Sequence, residues 1–204
     1  MNASLDLFGT PLVPGLATGF DIVTPGEETE LVARINATDL TPFEFQGWFG
    51  KRLTQSFGTR YDFSNGSLDL ADAIPDWLDP LRRRAARFAG LPPEDLLQAL
   101  LIRYDPGAGI GWHKDRPIHE HVVGVSLGAA ATMRFRRKSP RGFERVNAPL
   151  PPRSIYHLTG EVRHDWEHSI AEMERTRWSI TFRSLSERGL QALRDRPGQD
   201  PTAR

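Results

Sequence analysis

The sequence predicts an α+β fold, mainly β, with helices in the first half and a sandwich, jelly roll or barrel of short strands in the second. From Leu97 onward the runs "LQALLIRY", "VVGVSLG", "ATMRFRR", "RSIYHL" and "RWSITFRSL" are rich in β-branched or aromatic residues and are separated by Gly, Pro and charge clusters. Strands at such spacing build closed or layered β architectures. Two upstream stretches instead carry helix caps and helical periodicity. With 204 residues, 39% of them hydrophobic, the chain is long enough for one core, or a core with a smaller cap.

In "TPGEETELVARINA", Thr24 is placed to cap a helix, Pro25 suits its first position and Glu27 completes a capping box. Leu31, Val32 and Ile35 then share a buried face. The polar, aromatic "FEFQGWFGKRLTQSFGTRYDFSNGS" follows, its alternating Phe43/Phe45 and Tyr61/Phe63 predicting short strands joined by glycine turns. This segment reads as a flap rather than core. "PDWLDPLRRRAARFAG" predicts a second amphipathic helix, with Leu81, Ala85 and Phe88 on one face, arginines on another and Gly90 stopping it. The end of the chain, "ERGLQALRDRPGQDPTAR", opens with a helical turn and becomes polar and Pro/Gly-rich, so it is expected to fray.

Composition narrows the chemistry. The chain has no cysteine, which excludes disulfides, Cys-ligated zinc and Cys-held iron–sulfur clusters, so any metal must be held by His, Asp or Glu. The first twenty residues place no Lys or Arg ahead of an apolar run, and no window reaches the length of a membrane span, which leads to the expectation of a cytoplasmic protein. Twenty-six basic and twenty-six acidic residues cancel, so any nucleic-acid affinity must come from local patches.

The stretch "GIGWHKDRPIHEH" raises the question of a metal site. His113 and Asp115 are two apart and would face one side of a strand. His119, His121, His157, His164 and His168 are candidates for a third ligand. Two histidines and one carboxylate form the open triad of non-haem iron(II) oxygenases, which leaves positions for a chelating cosubstrate and dioxygen. An acid-binding group should then lie nearby. "RWSITFR" supplies Arg177 and Arg183, six apart and therefore on one face of a strand, with guanidinium forks suited to carboxylates.

Taken together, "RYDPGAGIGWHKD", "VVGVSLG", "GEVRHDWEHSI" and "RTRWSITFR", in this order, resemble the AlkB-like iron(II)- and 2-oxoglutarate-dependent dioxygenases. The resemblance implies a double-stranded β-helix, or jelly-roll, core over residues 96–186, preceded by an extension over 1–95 with two helices and a substrate-recognition lid, and followed by a flexible tail over 187–204. It implies Fe(II) bound by His113, Asp115 and His168, with 2-oxoglutarate and O2 as cosubstrates. Arg177 would hold the distal carboxylate of 2-oxoglutarate with help from Tyr104, and Arg183 would lie by the metal-proximal carboxylate. Ile102 departs from the family, which commonly carries Asn there, and "RP" after Asp115 replaces an acidic residue found in some nucleic-acid repair members.

The activity implied is oxidative demethylation of alkylated DNA or RNA bases, releasing formaldehyde, succinate and CO2, by a protein expected to act as a monomer. Arg52, Tyr61 and Trp112 are the substrate-side candidates, with Phe57, Trp48 and Trp166 also placed to stack or to wall a pocket. "RFRRKSPRGFER" concentrates Arg134, Arg136, Arg137, Lys138, Arg141 and Arg145 in one hairpin, a density suited to phosphates. Arg82 to Arg84 would add to it if the second helix faced the same way. The competing readings are the same chemistry on a protein or small molecule, a non-catalytic nucleic-acid-binding module, and a cupin-like metal protein using His164 and His168.

Overall fold

The computed structural model describes residues 13–45, 47–61 and 66–195. Phe63, the side chains of Phe45 and Trp48, and the last nine residues of the tail lie outside the described residues.

The capping box closes as its spacing requires. Helix α1 spans Pro25–Asn36, with Thr24 accepting from the Glu27 N–H while the Glu27 side chain accepts from the Thr24 N–H. Helix α2 spans Asp79–Ala89 and ends where Gly90 enters the left-handed region (φ 71°), a conformation that costs glycine no Cβ clash. Arg84 of α2 ties the two helices together through Glu27 and the Ile22 carbonyl. Leu31, Ile35, Leu81, Ala85 and Ala86 are buried against the sheet.

The strands are β1 (Leu16–Gly19), β2 (Thr41–Phe45), β3 (Trp48–Phe57), β4 (Thr59–Tyr61), β5 (Leu68–Leu70), β6 (Leu96–Tyr104), β7 (Ile110–His113) and β8 (His119–Gly128). They continue with β9 (Ala131–Ser139), β10 (Gly142–Leu150), β11 (Ile155–Leu158), β12 (Glu167–Ile170) and β13 (Arg177–Leu185). Short helices α3 (Gly160–His164) and α4 (Glu187–Arg194) complete the fold. A major sheet runs β1-β11-β8-β13-β6-β3-β2 and a minor sheet β10-β9-β12-β7, with β4 and β5 forming a separate ribbon. All paired strands are antiparallel. This is a jelly roll with helices covering one side of its larger sheet.

Strand alternation divides the interior. Ala99 and Leu101 of β6, Val123, Val125 and Leu127 of β8, and Ile180 and Phe182 of β13 face α1 and α2. The intervening residues face the minor sheet, where Ile102, Tyr104 and Tyr156 meet Met133, Phe135 and Ile170. That second layer carries the polar groups. Among the described residues no helix is long and apolar enough to cross a membrane.

The aromatic segment is only partly a flap. Leu53–Phe57 pair with β6 inside the major sheet, and Phe57 is buried in the helix-side core, so it does not stack on a substrate. The outer half of the hairpin stays open, with Phe49 71% exposed. The extension also supplies β1 at the opposite edge of the major sheet. It therefore frames the core on both sides.

Glu27 generates a pH prediction. Its hydrogen bond from Arg84, then that from Thr24, hold its carboxyl at about 2 against an ordinary 4.5. The group is depressed in the fold, so its contribution is present above about 4.5 and is lost as pH falls toward about 2. Glu27→Gln should flatten that acid limb of the stability profile. At neutral pH, Glu27→Ala, which removes the acceptor for the Thr24 N–H, should cost about 1 kcal/mol, or about 2–4 °C in melting temperature by calorimetry.

Candidate active site

Two adjacent antiparallel strands bring the histidines together. His113 ends β7 and His168 sits opposite it on β12, with ring centroids 4.2 Å apart. His113 Nδ1 lies 2.9 Å from the Gly111 carbonyl oxygen, which fixes the proton on Nδ1 and leaves the Nε2 lone pair available. Burial, then the neighbouring His113, pushes His168 down to about 3, and burial also lowers His113. Both rings are neutral at physiological pH, the form that binds metals.

Asp115 reaches this point from a loop, not from a strand as the two-residue spacing suggested. β7 stops at His113, and the following turn is held by Arg163 of α3. This guanidinium, 3% exposed as a residue, donates to the carbonyls of Asp115, Arg116 and His119. The Asp115 carboxylate lies 3.7 Å from His168 Nε2 and 3.1 Å from Arg183 Nη2. Burial alone would raise its pKa, but Arg183 and the nearby histidines and Arg163 hold it well below the usual range. A buried carboxylate can stay ionised only with such partners. Two neutral imidazoles and one ionised carboxylate suit iron(II) with open positions. The residue types fit the metal, but among the described residues no three His, Asp or Glu side chains are gathered as a ready ion site, and Asp115 rests on Arg183.

Arg177 and Arg183 face the same interior from β13, as their spacing predicted. Arg183 forms an ion pair with Asp115 and donates at 3.0 Å to Gln98 of β6, while its Nε is buried with no hydrogen-bond partner among the described residues. Arg177 is 1% exposed and donates from Nε to Ser126 at 3.1 Å, while its Nη1 and Nη2 are buried with no hydrogen-bond partner among the described residues. Its guanidinium lies 5.2 Å from the Tyr104 ring centroid. An unpaired buried fork costs several kcal/mol until an anion fills it, and a carboxylate does so bidentately. Ile102 is buried in the same layer, giving this part of the interior an apolar wall where an amide was expected from the family.

Tyr156 was missed by sequence reasoning. It is buried in the field of Arg177, Tyr104, Asp115 and Arg183, and burial raises its hydroxyl pKa. Its ring occupies space left by Gly124, where an added Cβ would fall 2.1 Å from the ring. The signal in "VVGVSLG" is the glycine itself, whose meaning depends on its partner Tyr156 in a strand far along the chain.

The other histidines are engaged elsewhere. His121 Nδ1 pairs with His157 Nε2 at 3.0 Å, and His164 lies 3.2 Å from Glu120. His119 is buried behind the loop and pushed down to about 3 by burial and by Arg183. His164 ends α3 and does not share a helix face with His168. On the substrate side, Arg52 stacks 3.9 Å from the Phe43 ring centroid and feels Tyr104, Arg183 and Asp115 electrostatically. Arg116, next to Asp115, lies over Tyr61 at 5.1 Å. Trp112 corrects expectation. It projects from the face of β7 opposite His113, between Arg134 and Arg136, and does not wall the interior. Trp166 is 1% exposed and packs in the core, donating to Glu161.

The Gly124 contact is testable. Gly124→Ala should lower stability by about 1–3 kcal/mol in urea unfolding, because the methyl displaces the Tyr156 ring. Adding Tyr156→Ala removes the obstacle, so the two costs should fall short of their sum.

A profile of the 2OG-Fe(II) oxygenase superfamily matches residues 41–188. The chain is 30% identical over 166 residues to the Mus musculus tRNA (carboxymethyluridine(34)-5-O)-methyltransferase ALKBH8, covering 78% of this chain and 24% of that protein. It is 25% identical over 209 residues to the Mus musculus alpha-ketoglutarate-dependent dioxygenase alkB homolog 4, covering 85% of this chain and 68% of that protein. It thus spans about a quarter of the ALKBH8 relative's length. The solved structure of OsALKBH1 has the same fold, with a TM-score of 0.66 at 16% identity over 84% of this chain and 97% of that chain. The profile covers the site strands from β6 to β13, and with these relatives it shows that the chain belongs to the 2OG-Fe(II) oxygenase superfamily as an AlkB-like member.

Proposed function

We propose that the protein is an iron(II)- and 2-oxoglutarate-dependent dioxygenase that oxidatively removes alkyl groups from nucleic-acid bases. The observation that carries the cosubstrate assignment is the buried Arg177 fork, with two unpartnered nitrogens in the same layer as His113, Asp115 and His168. His113, Asp115 and His168 would hold the iron, and Arg177, aided by Tyr104 and Tyr156, would hold the distal carboxylate of 2-oxoglutarate. When bound, iron with 2-oxoglutarate and O2 supplies C–H hydroxylation, with succinate and CO2 as the co-products. On an N-methyl base the hydroxymethyl product sheds formaldehyde and leaves N–H.

The chain's own residues supply position and dryness. Arg183 orients Asp115 from one side and Arg163 fixes its loop from another, so one carboxylate oxygen stays directed at His168. The apolar Phe135, Met133 and Ile170 exclude water behind the histidines. Arg52, with the Arg116–Tyr61 pair, would form the mouth, where a base leaving its stack meets an aromatic face and cations. The segment before residue 96 would act as the recognition side through the open end of β2 and β3.

Three measurements test this reading. Turnover of methylated DNA and RNA oligonucleotides should give a 14 Da mass loss that requires Fe(II) and 2-oxoglutarate; turnover only on peptides or metabolites rejects nucleic acid as the substrate. Arg177→Leu should raise the KM for 2-oxoglutarate roughly 100-fold or more, since a buried charge-assisted pair contributes about 3 kcal/mol or more. Arg52→Ala should raise the KM for oligonucleotide and leave that for 2-oxoglutarate unchanged.

A further inference from the structure

The minor sheet has an outer face that the buried site does not use. Alternation directs His113, Met133, Phe135, His168 and Ile170 inward. Trp112, Arg134, Arg136, Lys138, Phe143 and Arg145 therefore project outward. The register sets Arg136 beside Arg145 and Lys138 beside Phe143. Trp112 has Arg134 at 5.3 Å and Arg136 at 4.4 Å, and Phe143 has Arg136 at 4.8 Å and Arg145 at 5.3 Å. The result is a continuous ladder, Arg134–Trp112–Arg136–Phe143–Arg145, carried by β7, β9 and β10 across the width of the sheet.

Charge on this sheet is segregated. Glu144 turns to the other face, where it pairs with Arg137, leaving Glu167, bound to Arg136, as the acid on the ladder. Arg134 is oriented by Ser169. Lys138 and the exposed Arg141 at the hairpin turn make no ion pair among the described residues. Zero net charge on the chain thus conceals a cationic, aromatic face. Four strands at the usual spacing extend about 14 Å, enough for two or three nucleotides. The face begins at β7, the edge strand that presents His113 inward and Trp112 outward.

We propose that this outer face is a track for single-stranded nucleic acid, guiding the strand over the β7 edge toward the buried site. Arginines and Lys138 would follow the phosphates while Trp112 and Phe143 offer their faces to bases, a combination that binds single strands with little sequence preference. This deepens the proposed substrate class and rests on it for the direction of the path.

The test is fluorescence anisotropy with an unmodified 12-nucleotide single-stranded DNA or RNA, compared with a duplex, an acidic peptide and anionic phosphatidylserine vesicles. Wild type should prefer the single strand. Phe143→Ala should weaken binding roughly tenfold, and the pair Lys138→Ala with Arg145→Ala should reduce the salt slope by about 0.7 per lost phosphate contact. Arg145→Lys should retain most binding. A 4-thiothymidine strand should crosslink to the peptide carrying Phe143. Unchanged binding and crosslinking in the alanine variants, at wild-type melting temperature, or wild-type preference for the peptide or vesicles, overturns the track. Failure of the demethylase reading looks different: no methylated oligonucleotide is turned over, while single-strand binding and its dependence on Phe143 persist.

Discussion

A single ionised carboxylate organises the interior. Asp115 is buried between two sheets, where an isolated charge would be intolerable, and Arg183 and Arg163 hold it there beside His113 and His168. Each of these partners comes from a different element. β13 supplies Arg183, α3 supplies Arg163, and β7 and β12 supply the histidines. The jelly roll is the scaffold that brings four such elements to one point.

The same arrangement explains why the two arginines of β13 differ. They share a face and lie six residues apart, yet Arg183 is engaged by Asp115 and Gln98, with its Nε left without a hydrogen-bond partner among the described residues, while Arg177 keeps both Nη donors without one. One is part of the standing electrostatics, and the other is the group we propose as the receptor for the cosubstrate's distal carboxylate. Tyr104, Tyr156 and Ser126 keep that receptor narrow and oriented. The cost of leaving it unpaired is the driving force for filling it.

Much of the architecture was legible because local rules and tertiary packing agree. The capping box at Thr24 and Glu27, Gly90 at the end of α2, and the long β-branched runs that became β6, β8, β9, β11 and β13 needed no distant information. β7 and β12 were less visible, since four residues give too little alternation to distinguish a strand from a polar loop. The polar composition of β3 hides that its second half pairs with β6, so only its outer half answers to the flap expected from the sequence.

From sequence, His113 and Asp115 are legible as a candidate pair and Arg177 and Arg183 as residues of one strand face, because strand period restricts spacing; choosing His168 among five histidines, and the roles given to the arginines, rest on the resemblance to the AlkB-like family. Tertiary structure alone decided how those groups meet. It placed Asp115 on a loop held by Arg163, set Tyr156 into the space of Gly124, and turned Trp112 to the outer face beside Arg134 and Arg136. These are contacts between residues far apart in the chain. Pairing register creates them, and no local pattern encodes the register.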